Sequence, residues 1–246
     1  MKFIGIDLGW YSQASGLCCL QWENNQLAVQ ALEHKLSIEE ILAWCDGVIA
    51  EKEPALIAVD APTLIPNARG MRVPDKLTHK YFGRYHAGCY PANLQRPFAE
   101  RTVAFGLSLE ERGFLHAPQI IPQTRGRYQV EVYPHAAMVQ LFQLERILKY
   151  KKGKLAERKV ELKKLQSYTQ EVLPQLIPVM ALGEFHGTIA QPLEGLRGSE
   201  LKALEDQLDS LICAYIGAYW WYWGESRNQV LGDRATGYII VPFLSD

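Results

Sequence analysis

The stretch KFIGIDLGW, residues 2–10, places a carboxylate at the end of an apolar run, and ALIAVDAP, residues 55–62, repeats the pattern. Asp7 ends the first run and Asp60 ends the second. Both runs are apolar on successive residues, which is typical of central strands covered on both faces. A carboxylate at such a position loses hydration, and a partner must offset that cost. These two runs therefore predict the centre of a sheet and its first two candidate site residues.

Two more strands and a helix are predicted between these runs. Residues 17–22 and 26–33 have strand character and are joined by a short hairpin. Ser37 and Glu40 form a capping box, which predicts that a helix begins there. The order strand, strand, strand, helix, strand predicts an α/β fold with a mixed sheet.

The helical crossover should make residues 55–60 parallel to a strand of the preceding meander, and the first strand is favoured. Asp7 and Asp60 would then lie side by side at the carboxyl ends of two neighbouring strands. Ligands bind at that edge in open α/β sheets.

Three further acids follow in later elements. Glu131 lies in a predicted strand over residues 128–133, where it either contacts a metal ion or pairs with an arginine. Asp206 and Asp209 are three residues apart in a helix predicted from Ser199 to about residue 223, so they share one helix face. Asp209 is favoured over Asp206 as a site residue because small and apolar residues follow it. The alternative for Asp206 is a solvated first turn that the helix dipole favours.

Such acids, brought together, would bind hard divalent cations such as Mg²⁺ or Mn²⁺. We expect Asp7, Asp60, Glu131 and Asp209 to be catalytic, and Asp206 to join Asp7, Asp60 and Asp209 as a metal ligand. Two such ions about 4 Å apart can clamp the attacking and leaving oxygens at phosphorus. The pattern therefore points to hydrolysis of phosphodiesters.

Residues 61–127 differ in composition from the rest of the chain. They contain seven of the 13 prolines, and ten basic against four acidic side chains. Arginine binds phosphate through its forked guanidinium, so Arg69, Arg72 and Arg84 are candidate contacts to a nucleic-acid substrate. The alternative is a solvated loop that pairs with acids of the core.

Four further expectations concern the second half of the chain. Residues 135–173 are predicted to be helical with a break near Gly153, and a short last strand is predicted over 236–241. The lysine-rich run 149–164 is interpreted as a solvated helix face in preference to a nucleic-acid contact. His135 is interpreted as structural in preference to catalytic.

Composition narrows the class of protein. The chain has 246 residues, 48% of them hydrophobic, and a net charge of -1, so a sizeable core is expected. Five cysteines without a CxxC pair disfavour a disulfide framework or a structural zinc site. A soluble cytoplasmic protein is expected, and a homo-oligomer stays open.

The chain resembles the domain-of-unknown-function 429 family, described as predicted RNase H-like nucleases of the RuvC-like superfamily. The matching pieces are GIDLGW at 5–10, AVDAP at 58–62, EVYP at 131–134, DQLDSL at 206–211 and GYIIVP at 237–242. The resemblance implies one RNase H-like domain over 1–246, with a five-stranded mixed sheet, flanking helices and a basic Pro-rich insertion at about 61–127. It also implies a metal-dependent nuclease that acts on DNA or RNA.

Two alternatives from other classes remain. The first is a catalytically inactive RNase H-like module that binds nucleic acid or protein. The second is an ATP-binding protein of the actin and hexokinase group, although a Gly-rich phosphate loop is poorly represented. Metal-dependent turnover distinguishes the first from a nuclease, and a nucleotide-dependent thermal shift would support the second.

Overall fold

The computed structural model describes residues 1–10 and 13–244. The strands are β1 (Lys2–Asp7), β2 (Ser15–Glu23), β3 (Gln26–Lys35), β4 (Ala55–Val59), β5 (Leu115–His116), β6 (Arg127–Glu131), β7 (Met180–Ala181), β8 (Asn228–Asp233) and β9 (Gly237–Pro242). The α-helices are α1 (Ile38–Val48), α2 (Val73–Phe82), α3 (Ala99–Glu111), α4 (Pro134–Leu141), α5 (Leu155–Glu171), α6 (His186–Ile189) and α7 (Gly198–Trp223). The chain is therefore mixed α/β, as predicted.

A mixed sheet dominates the fold, with the strand order β5-β6-β4-β1-β2-β3-β7. β1 is antiparallel to β2 and parallel to β4, and β6 is parallel to β4. The predicted parallel pairing of the first and fourth strands is confirmed. The predicted number of five strands is wrong, because β5 and β7 add two edges. Each has only two residues, which is too short to leave a periodic signal in the sequence.

Helix α7 crosses one face of the sheet at very short range. A Cβ placed on Gly5 would lie 1.8 Å from the carbonyl oxygen of Ser210, and one on Gly16 would lie 1.9 Å from that of Asp206. Only a residue without a side chain fits at either position. The two glycines in β1 and β2 therefore let the helix approach closely enough to bring its own acids to the sheet.

The opposite face of the sheet is covered by α1 and α3. Ile41 of α1 and Phe105 and Leu109 of α3 share a buried apolar cluster with Ile4 and Ile57 of the central strands. The capping box at the start of α1 is present, with Ser37 Oγ accepting from the Glu40 amide at 3.1 Å. Both faces of β1 and β4 are thus buried, which explains their continuous apolar runs.

The basic segment 61–127, which was expected to be an insertion, contains regular secondary structure. It includes α2, α3 and β5, and α3 packs directly on the sheet. Other residues of the segment, among them Pro62, Lys76 and Tyr90, line a cavity at the carboxyl edge of the sheet.

The predicted helical stretch 135–173 is present as two helices, α4 and α5, and the predicted break near Gly153 lies in the longer non-helical segment between them. Gln143 has φ of 52° and Gly153 has φ of 114°, and neither angle is compatible with a right-handed helix. The irregular segment 142–154 between the helices has a role at the site described below. The last predicted strand is present as β9, which pairs with β8 in a hairpin separate from the main sheet.

Across residues 1–10 and 13–244, no helix is both long and apolar enough to span a bilayer.

Candidate active site

Asp7 and Asp60 lie next to each other at the carboxyl edge of the sheet. Asp7 is the last residue of β1 and Asp60 directly follows β4, in the register that pairs Ile6 with Val59. The Asp60 amide donates to the carbonyl of Ile6 at 2.8 Å, which fixes the two chain ends together. The sequence prediction for these two acids rests on parallel pairing, and the structure has that pairing.

Helix α7 adds Asp206 and Asp209 to the same edge. Both side chains are 1% exposed. The charge of Asp7 acts on Asp206, and the charges of Asp7 and Asp209 both act on Asp60. Four carboxyl groups from three separate elements therefore meet at one place.

Lys151 lies inside this group of acids. Its ammonium donates to Asp7 at 2.9 Å and also forms an ion pair with Asp209. The neighbouring Tyr150 hydroxyl donates to the other oxygen of the Asp209 carboxylate. Both residues belong to the segment 142–154, so the interpretation of Lys151 as part of a solvated helix face is wrong. Nothing in the lysine-rich sequence distinguishes Lys151 from its neighbours, because its position depends on where α4 ends.

Asp206 has two basic neighbours of its own. Lys202, one helical turn earlier on α7, forms an ion pair with Asp206 Oδ1. His34 of β3 places Nε2 at 3.2 Å from Asp206 Oδ2. Burial lowers the pKa of His34, which favours its neutral form. The sequence offered no signal for His34, because a lone histidine in a strand has no motif around it.

The acids differ in how readily they ionise. Burial acts to raise the pKa of Asp7, but the Lys151 ammonium outweighs it and holds that pKa below its ordinary value. Burial and the Asp7 charge raise the pKa of Asp206 to about 7. Burial, partly offset by Lys151, raises the pKa of Asp209 to about 6. The pKa of Asp60 is raised well above its ordinary value by burial and by the charge on Asp7.

Asp60 is the least compensated acid of the group. Within the part of the chain that the structure describes, its carboxylate has neither a hydrogen bond nor an ion pair. Its raised pKa keeps this carboxyl group protonated without a cation, and a bound cation would take the place of the proton. The donor set is made of carboxylate oxygens, which suits a hard divalent ion.

The acids do not form a ready-made cation site in this arrangement. Among the described residues, no three His, Cys, Asp or Glu side chains are placed to hold one metal ion. In this arrangement the ammonium of Lys151 lies between Asp7 and Asp209, and that of Lys202 contacts Asp206. The residues present fit a divalent ion in chemistry, provided that the Lys151 ammonium moves aside.

Glu131 has a different environment from the other acids. Its two carboxylate oxygens accept from the Arg72 guanidinium at 2.7 and 2.8 Å, and Arg72 also donates to Asp75 at 2.9 Å. Although burial lowers the pKa of Arg72, the charges of Glu131 and Asp75 raise it above its ordinary value. Of the two alternatives for Glu131, the structure has the ion pair with an arginine of the basic segment.

The three arginines predicted to bind phosphate, Arg69, Arg72 and Arg84, do not lie together beside the acids. The Arg72 side chain is 2% exposed and fully engaged in its ion pairs, so it is not available to bind a phosphate. Arg69 and Arg84 are exposed, and neither is among the described residues that line the cavity above the acids. Arg84 instead stacks on the Tyr85 ring at 4.5 Å. Their predicted role in substrate binding finds no support in these positions.

A cavity of about 1140 Å³ opens at the acid edge. Asp7, Asp60 and Asp206 line it, whereas Asp209 lies behind Lys151. Three further lysines contribute to its wall, namely Lys76, Lys152 and Lys202. None of them was predicted from the sequence to be a site residue. Lys76 and Lys152 come from distant parts of the chain, whereas the four-residue spacing of Lys202 and Asp206 on one helix was a signal that could have been used.

His135 lies close to the site without lining its cavity. Burial lowers its pKa to about 4, so it is neutral at physiological pH. Its Nδ1 is buried without a hydrogen-bond partner in the described chain, and its ring packs 5.7 Å from that of Tyr150. This environment agrees with the structural interpretation of His135.

Comparison with known proteins gives a family and a distant structure. The family model described as "Protein of unknown function (DUF429)" matches residues 5–236, which confirms the family resemblance read from the sequence. The curated proteins include no significant match. The structure of T. thermophilus RuvC in complex with a Holliday junction substrate aligns over 89% of this chain and 97% of RuvC, at 14% identity and a TM-score of 0.32. At that TM-score the likeness carries no argument about activity.

Proposed function

Because the chain belongs to the DUF429 family, whose function is unknown, its activity has to be inferred from its own site, and we propose a metal-dependent nuclease. Its substrate would be the phosphodiester backbone of DNA or RNA. The observation that carries the proposal is that Asp7, Asp60 and Asp206 line one cavity with Asp209 close by, while Asp60 forms no hydrogen bond or ion pair with the described residues.

We propose a separate role for each acid, according to its surroundings. Asp7 and Asp60 line the cavity and would hold the cation, Mg²⁺ or Mn²⁺, with Asp209 and Asp206 from α7 completing the donor set. When bound, such an ion makes a water molecule more acidic and stabilises the leaving oxygen of a phosphodiester. Glu131 is proposed to support the site through Arg72, and not as a ligand.

The lysines supply the complementary charge. Lys151 would leave its position between Asp7 and Asp209 when a cation enters, and its ammonium would then be free to pair with a substrate phosphate. Lys76 and Lys152 are exposed at the cavity wall and are proposed as further backbone contacts. A phosphodiester chain needs such cations because each phosphate brings one negative charge.

We also propose that the centre of the main sheet is an RNase H-like core. The order β3-β2-β1-β4-β6, with β2 antiparallel to its neighbours, agrees with the RNase H-like core that the family resemblance implies. We also propose that residues 1–246 form one domain, because α3 and β5 of the segment 61–127 pack on this sheet.

The test is hydrolysis of a panel of labelled single-stranded, duplex and four-way-junction DNA and RNA with Mg²⁺ or Mn²⁺. Asp7→Asn and Asp60→Asn should each lose activity by at least about 100-fold, because loss of a metal removes several kcal/mol of transition-state stabilisation. Asp46→Asn is the matched control, since Asp46 is an exposed acid on α1 that pairs with Arg112.

Two outcomes would contradict the proposal. One is full activity in Asp7→Asn with its fold intact, and the other is absence of metal-dependent turnover on every substrate in the panel. The second outcome would favour the alternative of a catalytically inactive nucleic-acid-binding module. The specific observation behind that alternative is that Lys151 already neutralises Asp7 and Asp209.

A further inference from the structure

Three aromatic side chains line the same cavity as the acids, and we call Trp10, Tyr90 and Phe98 the aromatic wall. The Trp10 ring lies 4.7 Å from the Phe98 ring and 5.4 Å from the Tyr90 ring, between ring centroids. Tyr90 and Phe98 are 6.3 Å apart. The three rings therefore form one continuous aromatic surface.

Core packing accounts for only part of this wall. Phe98 is 2% exposed and packs with Ile65, Ala92 and Ala99 in a small apolar cluster of the basic segment. Trp10 covers that cluster and is half-buried. Tyr90 is 55% exposed although it touches both other rings. An aromatic ring that is this exposed contributes little to the core, so its position needs another explanation.

Tyr90 is held in place from outside. The Arg96 guanidinium lies 4.9 Å from the centre of the Tyr90 ring and donates to its hydroxyl at 3.3 Å. Arg96 is itself anchored to the carbonyl of Pro91 at 3.2 Å. The ring is thus fixed before any ligand arrives, which reduces the entropy cost of binding against it.

The wall adjoins the charged groups in a way that suits a nucleotide. Trp10 follows Asp7 by three residues, so their Cα atoms are at most about 11 Å apart. Lys76 and Lys152 line the cavity and form no ion pair with any residue in 1–10 or 13–244. Aromatic rings stack on bases and lysines bind phosphates, so one cavity offers both contacts together with the acids.

We propose that the cavity binds a nucleic-acid strand with an unpaired base stacked on the aromatic wall. This inference rests on the proposed function, because it names the substrate class for that same site. In a duplex the faces of a base are covered by its neighbours, so only a single-stranded or extruded nucleotide presents a face to Trp10 and Tyr90. The cavity volume of about 1140 Å³ also exceeds the usual range for one small molecule.

The test is binding of fluorescent oligonucleotides in EDTA, where no metal-dependent cleavage can occur. The wild-type protein should bind a single strand with normal bases at least about 10-fold more tightly than a strand of equal length with abasic sites. Tyr90→Leu should lose that preference. Tyr81→Leu is the matched control, since Tyr81 is 40% exposed in the same segment, lies near the Lys80 ammonium and does not line the cavity.

Trp10→Leu is a second variant with the same expected loss, and Tyr90→Leu keeps the test valid if Trp10→Leu fails to fold. The inference is overturned if wild type binds normal and abasic strands equally, if blunt duplex binds as tightly as single strand, or if nothing binds. Base-dependent binding without any hydrolysis would leave this inference standing and refute the nuclease. Hydrolysis combined with equal binding of normal and abasic strands would overturn this inference and leave the proposed nuclease standing.

Discussion

Arg72 ties the basic segment to the sheet, and its replacement by methionine should destabilise the protein strongly. The guanidinium contacts Glu131 of β6, Asp75 of α2 and the carbonyl of Leu64, with all of these charged groups almost fully buried. Methionine fills much of the same volume but leaves two carboxylates without their cation. Removing one partner of a buried ion pair typically costs about 3–5 kcal/mol, a large share of the roughly 5–15 kcal/mol of an ordinary domain.

The assay is urea unfolding followed by tryptophan fluorescence. With a slope near 3 kcal/mol per molar urea, a loss of about 4 kcal/mol lowers the midpoint by about 1 M or more. Arg69→Met is the matched control, because Arg69 is an exposed arginine three residues away. It should change stability by less than about 0.5 kcal/mol.

A double variant separates the ion pair from simple loss of packing. Arg72→Met combined with Glu131→Met removes both charges, and an apolar pair of similar volume is often as stable as the ion pair. The double variant should therefore recover most of the loss, while Asp75 keeps the amide donors of Arg72 and Ala92. A loss below about 1 kcal/mol in Arg72→Met, or a double variant no more stable than the single one, would refute the reasoning.

Three further perturbations test other parts of the structure. Lys151→Met removes the ammonium between two carboxylates, so the melting temperature without metal should be lower than in wild type. Mn²⁺ should then raise the melting temperature of the variant by more than that of wild type. Equal Mn²⁺ shifts would contradict the displacement of Lys151. Burial lowers the pKa of His116 from 6.5 to about 4, so the unfolded chain binds the extra proton and stability falls as pH drops through that window. His116→Gln should therefore lose about 2 kcal/mol less than wild type between pH 7.5 and 4.5 in urea unfolding, and parallel losses in the two proteins would count against it. Gly5→Ala places a methyl group against the Ser210 carbonyl of α7. It should lower the free energy of unfolding by about 3 kcal/mol in the same urea experiment, and an unchanged free energy would show that α7 does not lie this close to β1.

The sheet edge was predictable because its signals are local. The apolar runs before Asp7 and Asp60 and the helix between them determine a parallel neighbour relation by the rules of strand connection. Parallel strands end at the same edge, so the two acids were expected to be adjacent, and the observed pairing of Ile6 with Val59 has that result.

The remaining parts of the site were not predictable in the same way. Arg72 and Glu131 are 59 residues apart, and Glu131 alone was compatible with a metal ligand or an ion pair. The choice between them depends on where α2 begins relative to β6. Lys151 is a similar case, because a break was predicted near Gly153 but not a non-helical segment from residue 142 to 154 that carries Lys151 to the acids.

By itself, the sequence determined the order of the central elements, the two acids at the ends of β1 and β4 and the two on one face of α7. These follow from periodicity and connection rules that act over short stretches of chain. The pairing of Lys202 with Asp206 is likewise local, since the two residues are one turn apart on α7. Only the tertiary structure decided that Lys151 meets Asp7 and Asp209, and that Lys76 and Lys152, not Arg69 and Arg84, line the cavity. The physical reason is that a long charged side chain has no periodic constraint, so its partner is chosen by packing between distant segments.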